Sequence, residues 1–161
     1  MSRPDDHVSN TKAVATGPGN ATGTPPGLPT VGDTLQQASS KLRSVSDIPR
    51  VEAEQLMMHV LGASRSSLLT HPERRLTDAD RRRYDALVEE RALNNPLPYL
   101  TGEVEFYGLE FQVSPEVLIP RPDTEVLVDL AMSYRPDVVV DVGTGSGCIA
   151  IALAKRLPST R

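Results

Sequence analysis

The run Val138-Val139-Val140-Asp141-Val142 passes without a break into Gly143-Thr144-Gly145-Ser146-Gly147 and then into Cys148-Ile149-Ala150-Ile151-Ala152-Leu153-Ala154. No other stretch constrains the fold as much. β-Branched residues in an unbroken row predict a strand buried on both faces of a parallel sheet. The glycines predict a sharp backbone turn with no side chain between its amides and a ligand. The apolar run predicts a buried helix that ends before Pro158. Strand, glycine turn and helix make the first half of a nucleotide-binding βαβ unit, with the Asp141 carboxylate beside its opening. A strand-to-helix turn that binds nothing is the bland alternative, and the flanking elements weigh against it.

Composition excludes several other readings. A chain of 161 residues, 39% hydrophobic and 24% charged with a net charge of −4, suits a soluble globular protein. The apolar run Cys148 to Ala154 is far shorter than the roughly 20 residues a bilayer requires, and no leader resembles a signal peptide, so a cytoplasmic protein is expected. One cysteine excludes an internal disulfide. His7, His59 and His71 show no zinc-ligand spacing, and no metal is expected. Mild acidity provides no field that draws the whole chain onto nucleic acid.

The chain divides into unequal pieces. Residues 1–29 are rich in Pro, Gly, Thr and Ser with few apolar side chains, and are read as a disordered tail. From 30 to 95 apolar residues recur at helical spacing. Thr30-x-x-Asp33 reads as a capping box before the stripe Val31, Leu35, Ala38 and Leu42. Asp47 and Pro49 open a second helix with Ala53, Leu56, Met57, Val60 and Leu61 on one face, and Gly62 closes it. A third is predicted over Ser64–Leu69, and a fourth from Thr77-x-x-Asp80 with Tyr84, Leu87 and Val88 inward. A small helical bundle follows. Arg81, Arg82 and Arg83 are interleaved with acidic residues and read as a solvated face. His59 is read as a partly buried or boundary histidine.

After Pro96 the period becomes two. Val104 and Phe106, then Leu109, Phe111 and Val113, alternate with Glu103, Glu105, Glu110 and Gln112 about a turn at Tyr107-Gly108, which predicts a β-hairpin within a linker of 96–119. From 120 to 161 the start of the glycine-loop domain is expected. Pro122 suits the first position of a helix striped by Val126, Leu127, Leu130, Ala131 and Tyr134.

Two chemistries compete for the loop. Gly145-x-Gly147-x-x-Ala150 fits the dinucleotide fingerprint, whose confirming acidic residue would lie beyond Arg161. Asp141-x-Gly143-x-Gly145-x-Gly147 instead resembles the first motif of class I methyltransferases. With Ile119-Pro-Arg-Pro-Asp-Thr-Glu125, Pro96-Leu-Pro-Tyr-Leu-Thr-Gly102 and the Phe106-Tyr-Gly108 hairpin, the chain from about residue 33 onward closely resembles the HemK/PrmC family, protein-(glutamine-N5) methyltransferases acting on peptide chain release factors. The resemblance implies an α+β chain: a helical N-terminal domain that helps dock the release factor, a hairpin linker, and the first strand, loop and helix of a Rossmann-like domain, α/β when complete. It implies S-adenosylmethionine as cofactor, held by Asp141, Gly143, Thr144, Gly145, Ser146 and Gly147, with release factors as partners, no membrane and no nucleic acid. The oligomeric state is left open.

The family's Asn-Pro-Pro-Tyr motif, which grips the target amide, does not occur in the sequence, and Asn95-Pro96-Leu97-Pro98-Tyr99 aligns with the linker. Catalytic residues are therefore expected downstream of Arg161, and the chain is expected to be an N-terminal fragment that is inactive and binds cofactor weakly or not at all. A noncatalytic helical module that binds release factor is the rival reading. A nicotinamide-dependent oxidoreductase and a DNA adenine methyltransferase are weaker ones, the last disfavoured by the lack of a basic domain.

Overall fold

A computed structural model describes residues 29–161. The tail assigned to 1–29 lies, apart from Pro29, outside them. The first part is helical: α1 (Val31–Leu42), α2 (Pro49–Leu61), α3 (Arg65–Thr70), α4 (Asp78–Ala92) and α5 (Leu97–Thr101). Strands β1 (Glu103–Phe106) and β2 (Leu109–Gln112) follow, then a 3₁₀ turn at Pro122–Thr124, α6 (Glu125–Tyr134) and α7 (Cys148–Arg156).

Capping decides where the first helices start. Thr30 Oγ1 accepts the Asp33 amide at 3.1 Å and donates to Asp33 Oδ2 at 2.7 Å. The amides of Val31 and Gly32 donate to the carbonyls of Arg74 and Pro72, each at 2.8 Å, so the amides that α1 cannot satisfy itself are taken up by the segment before α4. Thr77 repeats the arrangement with Asp80 at the start of α4, and Ser64 caps α3 through the Ser67 amide. Helix α2 is entered differently from expectation. Ile48, not Asp47, holds the cap position and no side chain caps it, while Pro49 begins the helix and Gly62 ends it at φ +57°.

The striped faces of α1, α2 and α4 meet in one core around Leu35, Leu42, Leu56, Met57 and Tyr84, all essentially inaccessible to water. Burying such a side chain contributes roughly 1.5–3 kcal/mol. Helix α5 was not foreseen; it lies inside the segment read as linker, and its Leu97 and Leu100 pack on this helical core. Two carboxylates are also buried here against the polar pattern. Glu52 accepts from Arg91 Nε at 2.9 Å and Nη2 at 3.1 Å, and Glu54 accepts from Arg50 and Arg65, each at 2.8 Å. Burial alone would raise the Glu54 carboxyl, but the Arg65 and Arg50 guanidiniums outweigh it and hold it below the ordinary value. The Tyr84 hydroxyl donates to the Ala53 carbonyl at 3.1 Å, and burial pushes its ionisation well upward.

A second core lies beneath the hairpin. β1 and β2 pair antiparallel with Val104 opposite Phe111 and Phe106 opposite Leu109, and Tyr107 and Gly108 turn the chain at φ +55° and +71°. Positive φ at both central residues marks the type I′ turn that the strands' twist favours. Phe106 and Phe111 pack against Val128 of α6 and against Cys148, Ala152 and Leu153 of α7.

Two expectations fail in this half. The stripe on α6 fails except at Ala131: Val126, Leu127, Leu130 and Tyr134 are exposed, and the helix buries Val128 with Ala131 and Met132 beside it, because hairpin and α7 both approach from that side. The strand over 138–142 is not formed. Val139 N donates to Arg161 O at 2.7 Å, and Arg161 N donates to the carbonyl of Asp137 just before the run at 3.0 Å, while Val138, Val140 and Val142 are exposed. A strand exists only through a neighbour's ladder bonds, and among the described residues the sheet is β1 and β2 alone.

Candidate functional site

The glycine turn is formed although its strand is not. Gly143, Gly145 and Gly147 stand at φ +80°, +57° and +78°, a region closed to most residues bearing a Cβ. At Gly143 an added Cβ would meet nothing within 4 Å, and at Gly145 only the Gly143 carbonyl at 3.8 Å. Backbone conformation therefore demands these glycines, and the space above them is open. At Gly147 an added Cβ would stand 3.4 Å from Ile151 Cδ1 of α7, so backbone and helix lie close there.

Two bonds hold the turn from within. The Thr144 hydroxyl donates to the Asp141 carbonyl at 3.0 Å, and the Gly147 amide to the Thr144 carbonyl at 2.8 Å. Among the described residues, no hydrogen bond takes up the amides of Gly143, Gly145 or Ser146. Gly147 caps α7 without any side-chain bond, so the positive end of that helix opens on the same turn. Beside it, Asp141 Oδ2 is buried and has no partner; among the described residues no other buried side-chain nitrogen or oxygen shares that condition. A buried acceptor left unpaired costs about 1–3 kcal/mol. Open donors and one unpaired carboxylate oxygen together can hold an ammonium and a carboxylate, the two charges of an amino-acid head.

Asp141, Gly143, Thr144, Gly145, Ser146 and Gly147 lie in a single bend. Asn95 lies apart on the helical unit, where its side-chain amide donates to Glu90 at 2.5 Å. His59 is exposed rather than partly buried. Sequence reasoning missed the knot around Tyr107. Its amide donates to Glu125 at 2.7 Å, its hydroxyl to Asp129 at 2.6 Å, and Arg156 lies 5.3 Å over its ring. The Asp129 bond holds the phenol above its ordinary value. These partners sit 18 to 49 residues away, and no local pattern announces them.

A helical unit with its own core is followed by a hairpin and by an open glycine turn that leads into a helix, an α+β arrangement. Comparison with known proteins narrows it. Residues 33–102 match the family model described as PrmC N-terminal domain, and the HemK/PrmC resemblance is borne out. Three relatives carry the name release factor glutamine methyltransferase. The protein from Koribacter versatilis is 49% identical over 114 residues, covering 68% of this chain and 41% of its own. That from Escherichia coli K12 is 44% identical over 127 residues, 77% of this chain and 46% of its own. That from Vibrio cholerae is 42% identical over 134 residues, 81% and 47%. The chain spans less than half the length of these relatives. Among the described residues no helix is long and apolar enough to cross a membrane.

Proposed function

We propose that this protein serves the transfer of a methyl group from S-adenosylmethionine to the side-chain amide nitrogen of a release-factor glutamine, and that residues 141–147 form the donor side of the site in a Rossmann-like domain. One observation carries the reading: an unpaired, buried Asp141 oxygen stands beside three unclaimed amides in the turn before α7. When bound, the donor supplies an electrophilic methyl on a sulfonium. The chain's part is to hold the donor's amino-acid head. Asp141 would accept from its ammonium, and the amides of Gly143, Gly145 and Ser146, backed by the α7 dipole, would donate to its carboxylate. Gly143 and Gly145 keep the approach free of side chains. The helical unit over 33–102 serves as the docking part, in a cytoplasmic protein of translation.

Proton–nitrogen correlation spectra of the chain, titrated with S-adenosylmethionine and separately with a nicotinamide dinucleotide, test this. Glycine amides are well resolved, and even weak binding moves them. Shifts at Gly143, Gly145 and Gly147 with the sulfonium compound alone are expected. Shifts with the dinucleotide alone, or none at the turn with either, would overturn the assignment.

A further inference from the structure

A cleft of about 470 Å³ lies between the C-terminal end of α2 and the hairpin, well apart in sequence from the glycine turn. Met58, Ala63, Leu97, Pro98 and Val104 make its apolar lining. Its rim is acidic. Glu105 and Glu110 face each other directly across the ladder, and Glu103 shares their face by the two-residue period of the strand. Like charges directly opposed destabilise a strand pair. The Glu110 carboxyl is raised above its ordinary value, first by its hydrogen bond with Glu103 and then by the Glu103 charge. No ion pair joins any of the three to a cation among the described residues, and no Lys or Arg lines the cleft. They form no cluster that could hold a metal ion.

We propose that this cleft docks a segment of a protein partner in which Lys or Arg side chains alternate with apolar ones, the apolar residues against Met58, Ala63, Leu97 and Pro98 and the cations against Glu103, Glu105 and Glu110. The chemistry fixes both features. An apolar lining alone would accept any greasy segment, and spaced carboxylates on one rim select a segment whose cations are spaced likewise. The hairpin tolerates its own repulsion in the free protein, and the partner removes it. The proposal rests on the docking reading above only in taking a protein as occupant; it needs nothing from the donor turn.

The test uses the chain, a fluorescein-labelled peptide alternating Leu and Lys, and its Leu and Glu counterpart, read by anisotropy. The lysine peptide is expected to bind, and Glu105→Gln with Glu110→Gln to weaken it about fivefold or more, from two partly solvated charge pairs. Because the double variant removes repulsion, its melting temperature should hold or rise, which separates lost binding from lost folding. Amide shifts should fall at Met58, Ala63 and Val104. Equal binding of the glutamate peptide, unchanged affinity in the double variant, or shifts confined to the exposed face of α6 would each overturn the proposal. Donor-induced shifts at Gly143 to Gly147, recorded on the same double variant, keep the two readings separable.

Discussion

Replacing Asp141 by alanine separates a side chain kept for the fold from one kept for a ligand. A half-buried residue that packs or bonds usually costs about 1 kcal/mol when truncated. Asp141 should behave otherwise. Its Oδ2 is buried without a partner, so the native state carries a desolvation penalty of about 1–3 kcal/mol that the substitution removes. The bond that does hold the turn, from the Thr144 hydroxyl, ends on the Asp141 backbone carbonyl and survives the change. Amide exchange in α7 is the suitable stability assay, because α7 belongs to the second core and a global unfolding curve would mix in the helical unit. Exchange in α7 should be unchanged or slower by up to about tenfold, equivalent to about 1.4 kcal/mol. Donor binding should move the opposite way. A charge-assisted bond is worth about 1.5–3 kcal/mol, so the donor-induced shifts at Gly143 and Gly145 should need roughly tenfold or more donor to saturate. Faster exchange in α7 by more than about tenfold, with the donor titration unaltered, would show that the carboxylate is structural and refute the reasoning.

The helical unit yields further outcomes. Arg91→Met should cost about 3–5 kcal/mol in urea unfolding, since it strands Glu52 and the Val45 carbonyl, whereas Arg91→Met with Glu52→Leu should recover most of the loss. Glu54 ionises more readily in the folded chain than in the unfolded one, so on acidification the unfolded chain takes up the proton first. Its stabilisation is present above the ordinary value near 4.5 and is lost as pH falls through the lower folded value; Glu54→Gln should flatten that limb of a stability–pH curve. Gly62→Ala should lower stability by about 1 kcal/mol through its φ of +57° alone, as nothing lies within 4 Å of the added methyl, and Gly62→Asn should recover part of it in thermal melts.

Local rules made the caps and the hairpin legible. Thr30 and Thr77 cap their helices because each reaches only as far as the amide three residues on, and Tyr107-Gly108 turns because two positive φ angles are wanted at adjacent residues. The members of the candidate turn were legible for the same reason, since glycine spacing acts within a few residues. Burial of Glu52 and Glu54 was not legible. Periodicity assigns carboxylates to solvent, and only the folded chain brings Arg91 from 39 residues away or Arg65 from 11. Helix α5 was hidden by Pro98, which reads as a breaker yet is tolerated in the first turn, where its missing amide has no bond to lose. The run over 138–142 failed as a strand because β-propensity expresses packing against a neighbour rather than a backbone preference.

The hairpin is where the two halves of the reading meet. Its apolar face, with Phe106 and Phe111, belongs to the second core, while its acidic face edges the cleft shared with α2 and α5. Tyr107 at its tip binds Glu125 and Asp129 of α6 and carries Arg156 of α7 on its ring, and α7 begins at the glycine turn. A partner seated in the cleft would therefore be held by an element fastened to the helix that begins at the glycine turn. Positioning of this kind is the main source of rate in a transfer between two bound groups, where misplacement by about an ångström costs roughly a hundredfold. The fastening is worth only what its bonds are worth: Tyr107→Phe removes the 2.6 Å bond to Asp129 while keeping the ring under Arg156, so it should loosen the hairpin without unfolding it. Residual dipolar couplings across β1, β2 and α7 should then show greater averaging between hairpin and helix than in the parent chain, and identical couplings would mean that the packed core alone sets their relation.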